Sequence, residues 1–529
     1  MKLAKLSAHA WRTFWAYHAW AGVAIGLVLH AMFACGVVAL FLEPLRVWEE
    51  PVQHRAARAT TEVSPQLLLD RGLAAIRDRP PPKRLWLGLP QGEAGVARFQ
   101  YSEPGVAGWR AGWLAPEPGG SDGPATGQLA RGFVPEREQA ATFLYHLHYL
   151  WHPAAPQLEY LAGLLALAFL LTVATGVLIH LKDLVRQLAT FRPRARLRVV
   201  WSDMHKVLGV MGLPFQIVVS YTGALVALGP ALITALSGPV FGPDPAAVAR
   251  VAWNEPAGLP DPGGPAGGRP LDDVLAIARR AVPGFHPIAF GLQGHGREHA
   301  LVMAYGEIAG EGPLHTSNVL VDQSTGAVLQ IEAPSTDLAS HATRRWLSGL
   351  HYVYYGGAAV RVILALLGLA GCATILTGNL IWLARRRARG ASGRPHVLAR
   401  LTAGIGAGIF VAIGGLFVAS RILPLDAAGR GQTEQLIFAG ALAACVAWGL
   451  VARSTAATWW QQLGLAGGLF ASVPLWAARV TPAGLFGGGP RIATVVAVDA
   501  GMLVLGALLV VVAAALWRAQ RRAGGTGAA

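Results

Sequence analysis

Four of the sixteen histidines in this 529-residue chain stand at the ends of long apolar runs, in a pattern that occurs twice. His18 opens His18-Ala-Trp-Ala-Gly22 and His205 opens His205-Lys-Val-Leu-Gly209; 18 residues beyond each (36 − 18 and 223 − 205) lies a glycine, Gly36 and Gly223, with no gap needed. Leu147-His148-Tyr149 precedes Thr175-Gly176 just as Leu350-His351-Tyr352 precedes Thr377-Gly378, with one residue of difference in length. An ionisable side chain inside or at the end of a membrane span is costly and is by default a functional hypothesis. A neutral imidazole from each of two facing helices supplies both axial ligands of a low-spin haem iron and leaves no open position for oxygen, which suits electron transfer. Two copies in the same orientation imply a pseudo-twofold axis along the membrane normal, which sets His18 opposite His205 and His148 opposite His351. Two such pairs imply two b-type haems. Gly22 and Gly26, following His18 at one-turn intervals, and Gly209 after His205 leave a smooth ridge for a flat macrocycle.

Two further histidines complete the candidate cofactor-binding set. His180 closes the second apolar run, from where it is an alternative to His18 or His205 on the same haem. His30 lies 12 residues beyond His18, about 120° away round the helix, so polar packing or a quinone contact competes with ligation there. Their repeat counterparts are Ile217 and Trp382, and symmetry gives them no partner. The axial ligands are thus His18, His205, His148 and His351, with His180 and His30 as secondary candidates; no catalytic residue is assigned.

Other chemistries find less support. His146-Leu-His148-x3-His152 would place His148 and His152 on one helical face, a weak surface metal site. Gly404-Ile-Gly406-Ala-Gly408 sits in an apolar run with no preceding strand and reads as close helix packing, not a nucleotide loop. There is no dinucleotide fingerprint and no P-loop, so nicotinamide oxidation would belong to another protein. Cys35, Cys372 and Cys445 lie singly in apolar runs, which excludes a disulfide framework or thiolate metal site.

The elements that must position the histidines follow from composition. With 53% hydrophobic and 14% charged residues, the chain is a polytopic α-helical membrane protein. Apolar stretches near 20 residues predict eight spans, at about 18–42, 157–181, 206–233, 358–383, 401–420, 433–452, 457–478 and 492–517. The first follows Lys2, Lys5 and Arg12 like a signal peptide, but is too long for one and reads as a retained anchor. The net charge of +15 resides in clusters beside the spans: residues 1–17; Lys182, Arg186, Arg192, Arg194, Arg196 and Arg198; Arg385, Arg386, Arg387 and Arg389; Arg518, Arg521 and Arg522. With alternating spans these share one side, so both termini are expected in the cytoplasm, and no nucleic-acid partner is expected. Two Pro- and Gly-rich segments then face the periplasm as small α+β modules. In the second, Leu271 to Val282 has helical spacing, and two strands meet at a Ser324-Thr325-Gly326 turn. The first carries a helix near Ser64 to Asp78 and strands around Arg84 to Leu89 and Ala97 to Tyr101. The expected organisation is helix 1 over 1–44, module 1 over 45–140, helices 2 and 3 with a basic loop over 141–233, module 2 over 234–345, helix 4 over 346–390, and about four extra transmembrane helices over 391–529.

Taken together, His18-Ala-Trp-Ala-Gly22, Leu147-His148-Tyr149, Thr175-Gly176-Val-Leu-Ile-His180, Phe191-Arg192-Pro193, Trp201-Ser-Asp203-Met-His205, Leu213-Pro214-Phe215, Tyr221-Thr-Gly223, Leu350-His351-Tyr352 with Gly356-Gly357, and Val319 to Leu329 resemble the PepSY-associated transmembrane family, including PiuB-like iron-regulated proteins and ferric-siderophore reductases of bacterial inner membranes. The resemblance covers about residues 10–390. It implies a four-helix haem-binding bundle with two PepSY-like modules, taking electrons from quinol or a cytoplasmic reductase and reducing ferric iron or a ferric siderophore in the periplasm. The spans beyond about residue 400 and the weak first module depart from the family pattern. The alternative from another class is a non-enzymatic PepSY membrane protein that binds or restrains a periplasmic partner; a transporter is a third, with Asp499 as the main intramembrane carboxylate.

Overall fold

A computed structural model describes residues 7–56, 63–91, 96–106, 108–114, 132–181, 191–193, 195–242, 263–308, 316–335, 339–353, 355–387 and 396–525. Eight of its helices are long and apolar enough to cross a membrane: α1 (Ala8–Ala39), α6 (Leu158–His180), α8 (Leu213–Phe241), α11 (Gly357–Arg387), α12 (Val397–Ile422), α13 (Arg430–Val451), α14 (Thr455–Val480) and α15 (Ala493–Gly525). The shortest has 22 residues, about 33 Å at 1.5 Å per residue, enough for a hydrocarbon core of about 30 Å. The chain is a multi-pass membrane protein. Eight crossings return the last helix to the side where the first began, the terminal side; the opposite face is the sheet side.

On the sheet side the first connection contains α2 (Leu42–Glu49), α3 (Pro51–Ala56), α4 (Pro65–Ala75), strands β1 (Arg84–Gly88), β2 (Ala97–Ser102), β3 (Trp109–Leu114) and β4 (Phe133–Pro135), and α5 (Ala140–His148). The second contains α9 (Leu271–Ala281), β5 (Phe285–Gln293), β6 (Leu301–Ile308), β7 (Thr316–Asp322), β8 (Val328–Glu332) and α10 (Ala339–Tyr352). The sequence reading separates these connections into two modules. The structure joins them in one antiparallel sheet of order β4-β3-β2-β1-β5-β6-β7-β8, with Arg84 opposite Gln293 and Gly88 opposite Ala289 at the seam. Strands β3 and β4 went unrecognised because Gly and Trp interrupt the first and the second has only three residues.

One apolar core underlies both halves of the sheet. Alternating residues such as Leu85, Leu87, Phe99, Phe290, Leu292, Val302 and Val319 meet Leu68 and Leu69 of α4 and Leu271, Val274 and Ala278 of α9. Each such side chain fully buried contributes about 1.5–3 kcal/mol. The two helix starts cap one another: Gln66 N–H and Ser64 Oγ–H donate to Asp272 Oδ2, and Leu271 N–H donates to Gln66 Oε1. Asp322 Oδ1 accepts from Ser324 and Thr325 N–H, and Gly326 has φ +80°, which fixes the β7–β8 turn at the three residues expected.

The third span departs from its expected start. Helix α7 (Leu197–Met211) carries His205 and stops at Gly212, after which Leu213-Pro214 starts α8. Proline is favoured in a first helical turn and unfavourable within a helix, so the chain divides there.

The C-terminal helices centre on α12, the most buried span. A Cβ on Gly404 or Gly408 would meet Cys445 of α13 at 2.9 and 2.5 Å, so these glycines let two helices approach closely, as the sequence led us to expect. Asp499 is buried and accepts from Trp48 Nε1 and Leu485 N–H, each at 2.8 Å.

Candidate functional site: two imidazole pairs on a twofold axis

Helices α1, α6, α7–α8 and α11 surround the pseudo-twofold axis and bring the four principal histidines together in two pairs. The rings of His18 on α1 and His205 on α7 lie with centroids 6.1 Å apart, near the terminal side. Those of His148 on α5 and His351 on α10 lie 6.2 Å apart, on the sheet side. Two metal–imidazole bonds of about 2.0 Å, with about 1.1 Å from each nitrogen to its ring centre, require about 6 Å. Both separations match that requirement, with the His18 and His205 rings at 79° to one another and the His148 and His351 rings at 23°.

Hydrogen bonds fix which nitrogen faces the gap. His18 Nδ1–H donates to Thr172 O, His205 Nδ1–H to Thr374 O and His148 Nδ1–H to Met32 O, each at 2.8 Å. A carbonyl can only accept, so each Nδ1 carries the proton and each Nε2 keeps its lone pair. For His351 the acceptor is Thr222 Oγ1 at 2.9 Å, whose own hydrogen goes to Val218 O. A second-site acceptor that sets tautomer and ring angle is the usual companion of a metal-binding imidazole. Burial pushes the His148 imidazole down, and that of His351 down to about 4; both are neutral at pH 7, as ligation demands.

The glycines of the sequence repeat find their reason here. A Cβ on Gly176 would lie 2.9 Å from His18 Cε1, on Gly378 3.2 Å from His205, on Gly36 2.8 Å from His148, and on Gly223 3.1 Å from His351. Each ring is seated on a bare helix backbone. The sequence showed the spacing, but not that each glycine serves a histidine of another helix.

The short helices that carry the sheet-side pair are ended sharply. Leu150 at φ +58° and Val353 at φ +55° adopt the left-handed conformation two residues after His148 and His351, at about 1–2 kcal/mol each. Leu150 N–H donates to Leu147 O and Trp151 N–H to His146 O, a Schellman-type ending. Helix α5 thus stops at His148, which corrects the expectation that His148 and His152 share a helical face. Among the described residues no three His, Cys, Asp or Glu side chains converge on a metal site. Glu49 Oε1 caps the start of α5 by accepting from Ala141 N–H at 3.0 Å, although burial pushes its carboxyl up to about 7. Its backbone carbonyl and that of Trp48 accept from the buried Arg421 guanidinium, which lies 4.1 Å from the Trp48 ring. This bracing of the His148 helix by a C-terminal span was invisible in the sequence, because it joins residues hundreds of positions apart.

A cavity of about 800 Å³ surrounds the His18–His205 gap. Gly22, Gly209, Gly176 and Gly378 line it in symmetric pairs, and Arg198, Lys206 and Arg385 line it as well. His180 reaches the cavity wall but stands outside the facing pair. His30 does not line it. Fully buried, it donates from Nε2 to Gly406 O at 3.0 Å and so ties α1 to α12. The volume, the glycine walls, the paired lone pairs and the cations fit a flat, carboxylate-bearing macrocycle with axial metal. Gln216 and Asn379 also line the cavity, and neither side-chain NH₂ group has a partner; each such buried group costs about 1–3 kcal/mol.

Around the sheet-side pair, Tyr145 and Tyr149 lie 5.2 Å apart, His146 and Trp151 4.5 Å, and His351 and Tyr352 5.8 Å. Tyr354 is outside the described residues. Asp203, two residues from His205, holds the incoming loop by accepting from Arg192 Nε, Nη2 and backbone N–H. The Arg192 guanidinium keeps its carboxyl below the usual range.

Comparison with known sequences now bears on this arrangement. The sequence model of the PepSY-associated TM region matches residues 15–385, from just before His18 to the end of α11. The chain belongs to that family. An uncharacterized protein of Pseudomonas aeruginosa, PA4219, is 31% identical to it over 290 residues, which is 50% of this chain and 69% of the relative. In this PepSY-associated protein both imidazole pairs and the whole sheet fall inside the matched region, while α12 to α15 follow it.

Proposed function

We propose that this protein carries electrons across the inner membrane of a bacterium through two b-type haems, at His18/His205 and at His148/His351, and delivers them to ferric iron or a ferric siderophore. The observation that carries the reading is the pairing itself: four half-buried imidazoles, each with Nδ1 spent on an internal acceptor, lie in two pairs with centroids 6.1 and 6.2 Å apart. Bound there, haem would be held by His18 and His205 and by His148 and His351, and would supply one-electron Fe(III)/Fe(II) chemistry.

The residues of this chain do the rest. Backbone carbonyls of Thr172, Thr374 and Met32 and the Thr222 hydroxyl orient the imidazoles, glycines admit a flat ring, and Arg198 and Lys206 offer partners to its carboxylates. His18 and Met32, the residue that holds His148, are 14 residues apart on α1, about 21 Å of helical rise. Two sites therefore divide a core of about 30 Å that a single site would not cross. Arg196, Arg198, Arg385, Arg386, Arg518 and Arg521 cluster on the terminal side, which supports a cytoplasmic placement for it and a periplasmic one for the sheet, read as a pair of PepSY-like modules. Electrons enter from a quinol or a cytoplasmic reductase and leave past Tyr149, Tyr352 and Trp151.

An absorption spectrum of the purified protein tests this. The expected result is a reducible Soret band with a b-type α band, and about two haems per chain. A colourless preparation after haem-supplemented expression would overturn it and leave the reading of a PepSY protein that binds a periplasmic partner. Within the first site, His205→Ala is expected to lower haem content to about one per chain, whereas His180→Ala leaves it at about two. The reverse order would transfer the ligand role to His180.

A further inference from the structure

The wall of the His18–His205 cavity is drawn from corresponding positions of the two repeats, and two of the positions where the residue types differ are informative. His18 corresponds to His205, so Leu29 corresponds to Gln216 (29 + 187); Gly176 corresponds to Gly378, so Val177 corresponds to Asn379 (177 + 202). All four line the cavity. One half of the axis is hydrocarbon where the other carries two amides.

Those amides are nearly inaccessible, Gln216 at 4% and Asn379 at 1% exposure, and Gln216 Nε2 and Asn379 Nδ2 have no hydrogen-bond partner. Gly212 makes room for one of them, since a Cβ there would lie 2.8 Å from Gln216 Nε2. Gln216 lies 11 residues beyond His205 towards the sheet side, and Asn379 lies against Gly26, where a Cβ would be 3.8 Å from its Nδ2 and which follows His18 by about two helical turns in the same direction, so the amides mark the inner side of the cavity, away from the cations Arg198 and Lys206. A macrocycle whose carboxylates are drawn to those cations turns a hydrocarbon edge inward, and that edge accepts nothing from an N–H group. Leu29, Leu213 and Ile375 are the apolar neighbours, poor company for an isolated water, which needs two to four polar partners.

We infer that the inner end of this cavity binds the carbonyl-bearing ring of a membrane quinone, with Gln216 Nε2–H and Asn379 Nδ2–H donating to its oxygens. A quinone combines an apolar body with carbonyl acceptors and reaches the site through the hydrocarbon core. The inference rests on the electron-transfer reading and deepens it by naming the donor: oxidation of one quinol to quinone releases two electrons, which reduce two ferric ions, and two protons, which pass to water on the terminal side.

The test uses the holoprotein in detergent with decylubiquinone as probe. Bound quinone is measured by ultrafiltration and extraction, and haem content is measured separately. The parent is expected to bind saturably, about one per chain, and Gln216→Leu and Asn379→Val, which install the residues of the opposite half, to weaken binding at least tenfold with haem content and dithionite reduction unchanged. Absence of saturable binding to the parent, or parental affinity in both variants, would overturn the inference. So would loss of haem from the variants with quinone affinity intact, since the amides would then serve the macrocycle. Because quinone is counted directly, a haem-free parent would defeat the redox reading without obscuring the binding result.

Discussion

The His148→Ala and His351→Ala variants are each expected to carry one haem per chain where the parent carries two, and to lose ferric reduction at least a hundredfold. Each removes one of two lone pairs that face across a 6.2 Å gap. Tyr145, His146 and Tyr352 surround the pair, and Met32 O holds His148 in place. Loss of an orienting partner alone costs metal sites about 10–100-fold, and loss of the ligand costs more. The haem at His18 and His205 is expected to remain, with its low-spin spectrum intact, because its rings are oriented by Thr172 and Thr374 on other helices. Haem quantified per chain by the pyridine method decides the matter; parental content in both variants would refute the assignment of this pair.

Filling the other cavity gives the second large effect. Gly22 has nothing within 4 Å of a built Cβ, and Gly209 has only Thr374 Cγ2 at 3.8 Å, although both line the cavity. In the haem-free protein, leucine at either position meets open space and gains roughly 0.6–0.8 kcal/mol of helix propensity over glycine. In the loaded protein the same side chain occupies the space of the macrocycle. The Gly22→Leu/Gly209→Leu double variant is therefore expected to fold with an unchanged or higher melting temperature while losing the terminal-side haem. Gly176→Ala contrasts with it, since its Cβ would lie 2.9 Å from His18 Cε1 and disturb the ligand itself. A double variant that still holds two haems would show that the cavity is not where the macrocycle lies.

The histidine pairs were legible in the sequence because a repeat that needs at most one residue of adjustment carries geometry: two copies of one unit, inserted in the same direction, must meet about an axis. The eight spans were legible for a similar reason, since hydrocarbon imposes a length that composition reveals. What escaped lies in contacts between distant segments. The seam between β1 and β5 depends on edge strands whose alternation says only that each has a buried face, not which strand lies beside it. Leu150 and Val353, in a conformation that glycine usually fills, gave no turn signal. Gln216 and Asn379 carried no signal in the sequence; the structure sets both in the cavity wall, each with a side-chain NH₂ group that has no partner. His30 was ambiguous by spacing alone; the structure places it against Gly406, in a span that follows the family region.

The β1–β5 ladder has a mechanical consequence. It stitches together the parts of the chain that hang from opposite repeat halves, over the register from Arg84 and Gln293 to Gly88 and Ala289, so the halves cannot part on that face without breaking backbone hydrogen bonds. A rocker-switch carrier needs both faces to open in turn. A molecule laced shut on one face suits a stationary relay better than a shuttle.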